Sequence, residues 1–348
     1  MSFPEARLYS TLSEDPFKCK CHVCAWGCVL KENQRGKCNI RVVKNNKLCT
    51  LAYGKAIATH VDPIEKKPLY HVLPGSPIYS FGNVGCNFSC LFCQNYTISQ
   101  ASSIVDRCFK TQDFESMGIA LSPEQIVQTA LRKNIKAIAQ TYTEPVIAFE
   151  YMFDSFKLAK EHGIKTVAVT NGYWTEESVT AMAPHLDAMN IDLKGDDQFY
   201  RKLCGGVRLE PVQQTIKRAF ELGIHVEVTN LVIEGHNSSD EQLRELCQYV
   251  ASVSTSIPLH FSACYPTYKL MDISRTSVAT LERAASIADS EGLKYVYLGN
   301  IPEHPRSHSY CFNCKEKVIH RSKTGGVQVL LDEGRCPKCT EFVYGIWK

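Results

Sequence analysis

Three cysteines in the first third of the chain have the spacing of an incomplete iron–sulfur ligand set. Cys86, Cys90 and Cys93 form a C-x3-C-x2-C arrangement, and Phe92 places an aromatic ring beside the third thiol. A cubane [4Fe–4S] cluster normally takes four thiolates, so three would leave one iron without a protein ligand. An open coordination position is typical of catalytic metal sites, whereas structural sites are closed. The alternatives are a zinc knuckle, or buried thiols that only fill the core.

A second cysteine group, near the carboxyl terminus, has the pattern of a zinc ribbon. It consists of two C-x2-C knuckles, formed by Cys311, Cys314, Cys336 and Cys339. Four thiolates in this pattern are typical of structural Zn²⁺. The residues between the knuckles predict a hairpin, with apolar runs at Val318–Arg321 and Val327–Leu331 around a turn at Lys323–Gly326. A module of this size has too little core to fold without its metal.

The amino-terminal segment carries a third group of spaced cysteines. Its members are Cys21, Cys24, Cys28 and Cys38. Four thiolates predict one closed metal site, which Zn²⁺ or an auxiliary iron–sulfur cluster would both satisfy, with zinc slightly favoured. Cys19 lies close to this group. The other cysteines lack partner spacing and are predicted to be packing residues: Cys49, Cys108, Cys204, Cys247 and Cys264.

Strand and helix patterns alternate through the middle of the chain. Six apolar runs have the character of buried strands: Ile78–Val84, Ala137–Tyr142, Thr166–Thr170, Ala188–Leu193, His225–Ile233 and Pro258–Cys264. Helical patterns separate them, and Ser122 with Gln125 predicts a capping box. This alternation predicts an α/β fold with a parallel sheet, either a partial β/α barrel of six units or a doubly wound open sheet. The expected domains are a cysteine-rich metal-binding segment (1–75), the barrel (76–303) and the ribbon (304–348).

Polar side chains follow several of these strands, at the ends where β/α barrels collect their chemistry. Glu144 comes after the second strand, Asn171 follows the third, and Asp192 with Lys194 closes the fourth. Asp192 and Lys194 alternate, so both point the same way and must pair with each other or with a ligand. Structural roles are also open, since Thr143 could cap a helix and Asn171 could belong to an Asn-Gly turn.

Composition is that of a globular protein with an unusual cysteine content. Hydrophobic residues make up 44% and charged residues 22% of the 348 residues, as in ordinary folded domains. Lys+Arg of 39 against Asp+Glu of 36 leaves a formal charge of +3, so no nucleic-acid partner is expected. We see neither an apolar stretch of 18 residues nor a signal peptide, so no membrane association is expected. The 17 cysteines, grouped as metal ligands, indicate reduced thiols and a cytoplasmic location.

Across Cys86–Cys93 the sequence resembles the radical S-adenosylmethionine (SAM) enzymes, whose defining motif is C-x3-C-x-aromatic-C. The resemblance implies a partial (β/α)6 barrel in which the amino and carboxylate groups of SAM chelate the open iron. An electron from the [4Fe–4S] cluster, supplied by an external donor, would then split SAM into methionine and a 5′-deoxyadenosyl radical. This radical would abstract hydrogen from a protein or small-molecule substrate. The alternative function is a non-catalytic iron–sulfur electron-transfer protein or a metal-bound scaffold.

The resemblance also implies which residues surround SAM. Tyr142–Pro145 is similar to the Gly-Gly-Glu-Pro motif of radical SAM activases, with Tyr142 and Thr143 in place of the glycines. In that motif Glu144 would accept hydrogen bonds from the SAM ammonium. The residues implied to contact SAM are Phe92, Thr143, Glu144, Asn171, Asp192, Lys194 and His260. For His260, in the sixth strand, a core position is an equal alternative.

Further segments are similar to one subgroup, the AmmeMemoRadiSam-system radical SAM proteins, which resemble pyruvate formate-lyase activating enzyme. These segments are Gln34–Cys38, Asp62–His71, Phe92–Asn95, Phe199–Gly205 and Leu298–Asn300. The resemblance implies association with AMMECR-domain and Memo-like proteins, and glycyl-radical activation as one version of the reaction. Lys66–His71 is expected either to line the mouth of the barrel or to be a polar linker.

Overall fold

The computed structural model describes residues 3–101, 117–301, 303–322 and 326–348. Cys108 and positions 323–325 of the predicted turn lie outside these residues. Among the helices that are described, none is long and apolar enough to span a bilayer.

The amino-terminal segment is built from short antiparallel strands. They are β1 (Tyr9–Thr11), β2 (Lys18–Cys21), β3 (Val29–Lys31), β4 (Arg41–Lys44) and β5 (Lys47–Thr50). A buried ion pair ties this segment to the rest of the chain, because Arg41 Nη2 lies 2.7 Å from Glu150 Oε2 and both side chains are 3% exposed. Losing either partner would leave a buried charge unpaired, so the pair fixes how the segment packs.

An eight-stranded sheet forms the centre of the molecule. In chain order the strands of this region are β6 (Lys55–Ala56), β7 (Ala58–Pro63), β8 (Pro77–Gly82), β9 (Ile119–Ala120), β10 (Ala137–Gln140), β11 (Lys165–Thr170), β12 (Ala188–Asp192), β13 (His225–Val232), β14 (Leu259–Ala263) and β15 (Val296–Leu298). Strands β6 and β9 pair only with each other, and the other eight form the sheet. Seven of the eight are parallel, while β7 runs antiparallel to β8 at one edge.

Neighbouring strands of this sheet follow the order of the chain from β7 to β15. A doubly wound sheet would reverse that order at a switch point. Right-handed crossovers between parallel strands in chain order place all the helices on one face, as in a β/α barrel. The two outer strands do not pair with each other within the described residues, so the barrel is open. The fold class predicted from the sequence is therefore confirmed. The six predicted strands are all present, and the edge strands β7 and β15 are additional.

Helices cover the outside of the sheet. They are α1 (Tyr96–Ser99), α2 (Pro123–Arg132), α3 (Phe149–Glu161), α4 (Glu176–Met182), α5 (Asp197–Leu203), α6 (Glu210–Glu221), α7 (Asp240–Val253) and α8 (Val278–Ser290). The predicted capping box is confirmed at α2, where Ser122 Oγ accepts a hydrogen bond from the Gln125 N–H and the Gln125 side chain accepts one in return from the Ser122 N–H. Helix α5 was not expected from the sequence.

The carboxyl-terminal segment contains a three-stranded antiparallel sheet. Its strands are β16 (Ser309–Tyr310), β17 (Lys317–Ser322) and β18 (Gly326–Val329), and β17 with β18 forms the hairpin predicted between the two knuckles. The last residues return to the barrel, since Tyr344 OH accepts a hydrogen bond of 3.1 Å from the Val226 N–H near the start of β13. This segment therefore packs at the amino-terminal ends of the strands.

Candidate active site

A cavity of about 300 Å³ lies at the carboxyl ends of β8, β10, β11 and β12. Nine of the ten residues predicted around the cluster and SAM line it: Cys86, Cys90, Phe92, Cys93, Thr143, Glu144, Asn171, Asp192 and Lys194. Ligand cavities in proteins start at about this volume. The sheet order thus brings together side chains that are more than 100 positions apart in the chain.

The three cysteines lie on a loop after β8, here called the cluster loop (residues 83–95). Backbone contacts from the end of α5 hold this loop, because the Leu91 N–H donates to the Leu203 carbonyl at 2.9 Å and the Ser89 N–H donates to the Cys204 carbonyl at 3.4 Å. On the other side, the Cys93 sulfur lies 3.2 Å from Ser99 Oγ. The loop is therefore held by the end of α5 on one side and by α1 on the other.

The cluster-loop thiols differ in their electrostatic surroundings. Burial raises the pKa of the Cys86 thiol well above its ordinary value, so this thiolate needs a positive partner such as a metal. At Cys90 the pKa is lowered, because the neighbouring Cys204 thiol donates a hydrogen bond to it. Cys204, which the sequence marked as a packing residue, therefore supports a predicted cluster ligand. No sequence spacing connects it with the C-x3-C-x2-C motif.

Glu144 is a buried carboxylate without a cationic partner among the residues that the structure describes. It accepts hydrogen bonds from Thr170 Oγ1 at 2.6 Å, from the Asn171 N–H at 2.8 Å and from the Val146 N–H at 3.1 Å. Burial raises the pKa of the carboxyl to about 7. Within the described residues no Lys, Arg or His forms an ion pair with it. Two carboxylate oxygens offer about four acceptor positions, so one position is left for a further donor.

Asp192 and Lys194 pair with each other at the end of β12, with 2.7 Å between Lys194 Nζ and Asp192 Oδ2. Burial acts to lower the pKa of Lys194, but the adjacent Asp192 carboxylate outweighs it and the pKa is raised. Tyr200 of α5 fixes the backbone between them, since its hydroxyl accepts from the Lys194 N–H at 2.9 Å and donates to the Asp192 carbonyl at 3.1 Å. Helix α5 thus holds both the ion pair and the cluster loop.

Asn171 and Thr143 face the cavity while bonding to its wall. Asn171 Nδ2 donates to Asn87 Oδ1 at 2.8 Å, which links the end of β11 to the cluster loop. Thr143 Oγ1 donates to the Asn83 carbonyl at 2.6 Å and therefore does not cap the following helix with its side chain. The N-cap is instead Glu144, whose carboxylate accepts from the Val146 N–H.

His260 is the predicted residue that the structure does not bring to the cavity. It is fully buried inside the barrel, and its Nε2 lies 2.6 Å from Glu227 Oε2. Glu227 also accepts from the backbone N–H groups of Tyr70 and His71, at 3.0 and 2.8 Å. His260 therefore occupies a core position, which was the other possibility that the sequence left open. It is held there because it pairs with the buried Glu227 carboxylate.

Several residues that line the cavity were not predicted as SAM contacts, among them Tyr142, Lys66 and Lys67. Tyr142, which stands where activases have glycine, adopts φ +70°, a left-handed conformation that glycine would enter freely. Its ring lies 4.7 Å from Lys67 Nζ, and Lys67 also pairs with Asp62 at 3.1 Å. Lys66 and Lys67 both line the cavity. The sequence left open whether Lys66–His71 lines the mouth of the barrel or is a polar linker. The positions of Lys66 and Lys67 beside the cavity favour the first interpretation for these two residues.

The thiols of Cys311, Cys314, Cys336 and Cys339 all lie within 4.8 Å of one another. Their closest pairs are Cys311 with Cys339 at 3.5 Å and Cys314 with Cys336 at 3.6 Å. Tetrahedral zinc with bonds of about 2.3 Å places its sulfur ligands about 3.8 Å apart. These four thiols could therefore hold one ion. In the part of the chain that the structure describes, no other set of three or more potential ligands is as compact.

Comparisons with known proteins agree with this geometry. A family model described as the radical SAM superfamily matches residues 82–250, which contain the cluster loop and the strands around the cavity. Uncharacterized protein MJ0808 of Methanocaldococcus jannaschii is 42% identical over 340 residues, covering 97% of this chain and 98% of that protein. The chain belongs to the radical SAM superfamily.

Two further matches cover smaller parts of the chain. The choline trimethylamine-lyase activating enzyme of Oleidesulfovibrio alaskensis is 31% identical over 91 residues, which is 26% of this chain and 29% of that enzyme. The crystal structure of a radical SAM methyltransferase from Sphaerobacter thermophilus has a TM-score of 0.47 and 17% identity, with 63% of this chain and 65% of that chain covered. Radical SAM proteins are enzymes, and this chain is one of them.

Radical SAM membership implies a [4Fe–4S] cluster and SAM, and the cavity residues fit both. Soft thiolate ligands suit an iron–sulfur cluster. The three cluster-loop thiols do not all lie within 4.8 Å of one another, whereas the ligands of a single ion would. A cubane binds each thiolate to a different iron, so it needs such a wider set. The unpaired Glu144 carboxylate beside these thiols fits the positive ammonium of SAM.

Proposed function

We propose that Cys86, Cys90 and Cys93 ligate three irons of a [4Fe–4S] cluster and that SAM binds the fourth iron inside the cavity. When bound, these groups supply a reductively generated 5′-deoxyadenosyl radical for hydrogen abstraction. The observation that supports this assignment is Glu144, a buried carboxylate with a pKa of about 7 and no cation beside it in the described residues. Such a group is costly unless a ligand brings the missing positive charge.

The remaining cavity residues would orient SAM. The fourth acceptor position of Glu144 would receive an N–H of the SAM ammonium. Asp192 and Lys194 present one carboxylate and one ammonium to the cavity, so each can form a charge-assisted bond with polar groups of the ligand. Asn171 fixes the cluster loop through Asn87, which keeps the thiols in register with β11.

The substrate would enter from the side of Lys66 and Lys67, since SAM occupies the part of the cavity next to the thiols. We propose hydrogen abstraction from a protein or a small molecule, with glycyl-radical activation as one version, and an external electron donor. The relative named as an activating enzyme supports the activase version. As in the AmmeMemoRadiSam system that the sequence resembles, AMMECR-domain and Memo-like proteins are the proposed partners. The described cysteines form no disulfides, which suits the reducing cytoplasm.

The ribbon is proposed to be a structural zinc site. Its four thiols already have the mutual distances that one tetrahedral ion requires. None of its four cysteines lines the cavity, so the ion would stabilise the fold without contacting SAM.

Anaerobic reconstitution with iron and sulfide, followed by incubation with SAM and dithionite, tests the proposed reaction. The wild-type protein should release 5′-deoxyadenosine, and Cys90→Ala should release none. Cys247→Ala is the matched control, because Cys247 is equally buried but lies in α7 outside the cavity. A wild-type protein that holds the cluster and forms no 5′-deoxyadenosine would contradict the proposal and favour an electron carrier.

A further inference from the structure

The amino-terminal cysteines form a set of four thiols that the proposed reaction does not use. Cys21, Cys24 and Cys38 are buried, and Cys28 is half-buried. A knuckle-like turn brings the first three together, because the Cys21 N–H donates to the Cys28 carbonyl at 2.9 Å and the Gly27 N–H donates to the Cys24 carbonyl at 3.1 Å. The Cys24 thiol has Cys21 and Cys38 as electrostatic neighbours. All four therefore converge on one small volume.

The spacing of these thiols differs from that of the ribbon. The ribbon thiols all lie within 4.8 Å of one another, whereas no three of the amino-terminal thiols do so. One tetrahedral ion requires sulfur atoms about 3.8 Å apart. A cubane gives each thiolate its own iron and so separates them further. The three cluster-loop thiols of this same chain likewise do not all lie within 4.8 Å of one another.

The amino-terminal set lies directly against the cluster loop. Trp26 Nε1 donates to the Asn87 carbonyl at 2.8 Å, and the Ala25 N–H donates to the Tyr173 carbonyl at 3.1 Å. The side chain of Asn87, the residue after Cys86, lies beside the Cys24 thiol. Asn87 is 4% exposed, and the Cys24 sulfur is the acceptor toward which its Nδ2 points, with no other acceptor for it among the described residues. A buried amide donor needs an acceptor, and a metal-bound thiolate is a stronger acceptor than a neutral thiol.

We infer that Cys21, Cys24, Cys28 and Cys38 ligate a second [4Fe–4S] cluster, closed by four thiolates and separated from the open cluster by the Asn87 side chain. The sequence alone slightly favoured zinc here, and the spread of the thiols, no three of which lie within 4.8 Å of one another, reverses that preference. A closed cluster cannot bind SAM, so its chemistry is limited to one-electron transfer.

The position of this second cluster suits electron entry. Cys28 is its most exposed ligand, and Lys20 and Lys37 lie exposed on the same segment. Lys37 Nζ lies 5.0 Å from the Trp26 ring, next to the Asn87 contact. A low-potential, acidic one-electron donor protein would dock on these lysines. One electron would pass from the donor to the second cluster and then from the second cluster to the open one, with no bond formed or broken.

The metal content of two variants tests this inference without requiring the proposed reaction to occur. Anaerobically reconstituted Cys86→Ala/Cys90→Ala/Cys93→Ala should keep about four irons and four sulfides per chain, with the visible absorption of a cluster. Cys24→Ala/Cys38→Ala should keep a similar amount, now at the open site. Two zinc ions and no iron in the triple variant would overturn the inference. If Cys24→Ala/Cys38→Ala does not fold, Cys28→Ala replaces it, because Cys28 is half-buried.

Electron paramagnetic resonance then tests the placement of the two clusters. In fully reduced wild-type protein, two neighbouring half-integer spins should broaden each other's signal, and either variant should restore a narrow signal. Unbroadened wild-type signals that are the simple sum of the two variant spectra would overturn the placement. The two proposals can fail independently. If the protein does not cleave SAM, the iron content of the triple variant is unaffected. If the amino-terminal cysteines bind zinc, SAM still changes the spectrum of the open cluster.

Discussion

Two adjacent glycines after α5 offer a matched test of how the cluster loop is held. Gly205 and Gly206 both adopt left-handed conformations, with φ +88° and φ +83°. A Cβ added at Gly205 would collide with Ser89 Oγ and lie 3.1 Å from the Ser89 backbone nitrogen. A Cβ added at Gly206 would meet nothing within 4 Å. The pair therefore separates backbone strain from pressure on the cluster loop.

The expected magnitudes follow from these contacts. Alanine in a left-handed conformation costs about 1 kcal/mol, and both variants carry this cost. Gly205→Ala adds overpacking, which costs about 1–3 kcal/mol in general. Ser89 is exposed and its hydroxyl can rotate away, but its backbone nitrogen cannot. We therefore expect Gly205→Ala to be less stable than Gly206→Ala by about 1–2 kcal/mol.

Urea unfolding of both variants and their iron content after reconstitution test this reasoning. Gly206→Ala should bind as much iron as the wild type, whereas Gly205→Ala should bind less at the open site, because the displaced loop carries all three thiols. Adding Ser89→Ala to Gly205→Ala should recover part of the loss. Equal stability and equal iron content in the two glycine variants would refute the claim that α5 holds the cluster loop.

Three further predictions concern the other parts of the site. Glu144→Gln should weaken SAM binding about 10- to 150-fold, because a hydrogen bond to a charged group is worth about 1.5–3 kcal/mol; the exposed Glu124→Gln is the control. In the wild type, the affinity for SAM should fall about tenfold for each pH unit below the Glu144 pKa of about 7, because the protonated carboxyl is neutral. Calorimetric titrations of Glu144→Gln should show an affinity that no longer depends on pH in this range. Asp192→Asn should lower the affinity for SAM and lower the free energy of unfolding by about 1–2 kcal/mol, because Lys194 loses its ion-pair partner. The loss is moderate because Asp192 is one third exposed. An unchanged affinity for SAM would show that Asp192 does not contact it. Cys336→Ser should lose about one zinc per chain and lower the melting temperature while iron is retained, and an unchanged zinc content would contradict the ribbon assignment.

The parts of the fold that depend on local sequence could be predicted. The six strands are continuous apolar runs flanked by glycine and polar residues, so their composition places them to within two residues, as at Ala137–Gln140 and Leu259–Ala263. The capping box at Ser122 is equally local. Because parallel strands expose their carboxyl ends on one side, the residues that follow them could also be expected to meet in one cavity.

Contacts that depend on register and distant packing could not be predicted. Whether His260 faces the ligand or the core depends on Glu227 of the neighbouring strand, a pairing set by alignment across the sheet. The contact of Cys204 with Cys90 depends on how the end of α5 packs against the cluster loop, which no spacing in the sequence reveals. That Tyr142 adopts a left-handed backbone could not be predicted either, because this conformation is unfavourable for a residue with a Cβ.

The central claim is that three protein thiolates leave one iron free for SAM. Electron paramagnetic resonance of the reduced protein, recorded with and without SAM, measures this most directly. The account predicts that SAM changes the spectrum of the cluster and that Glu144→Gln needs a higher SAM concentration for the same change. A reduced cluster whose spectrum is identical with and without saturating SAM would contradict it.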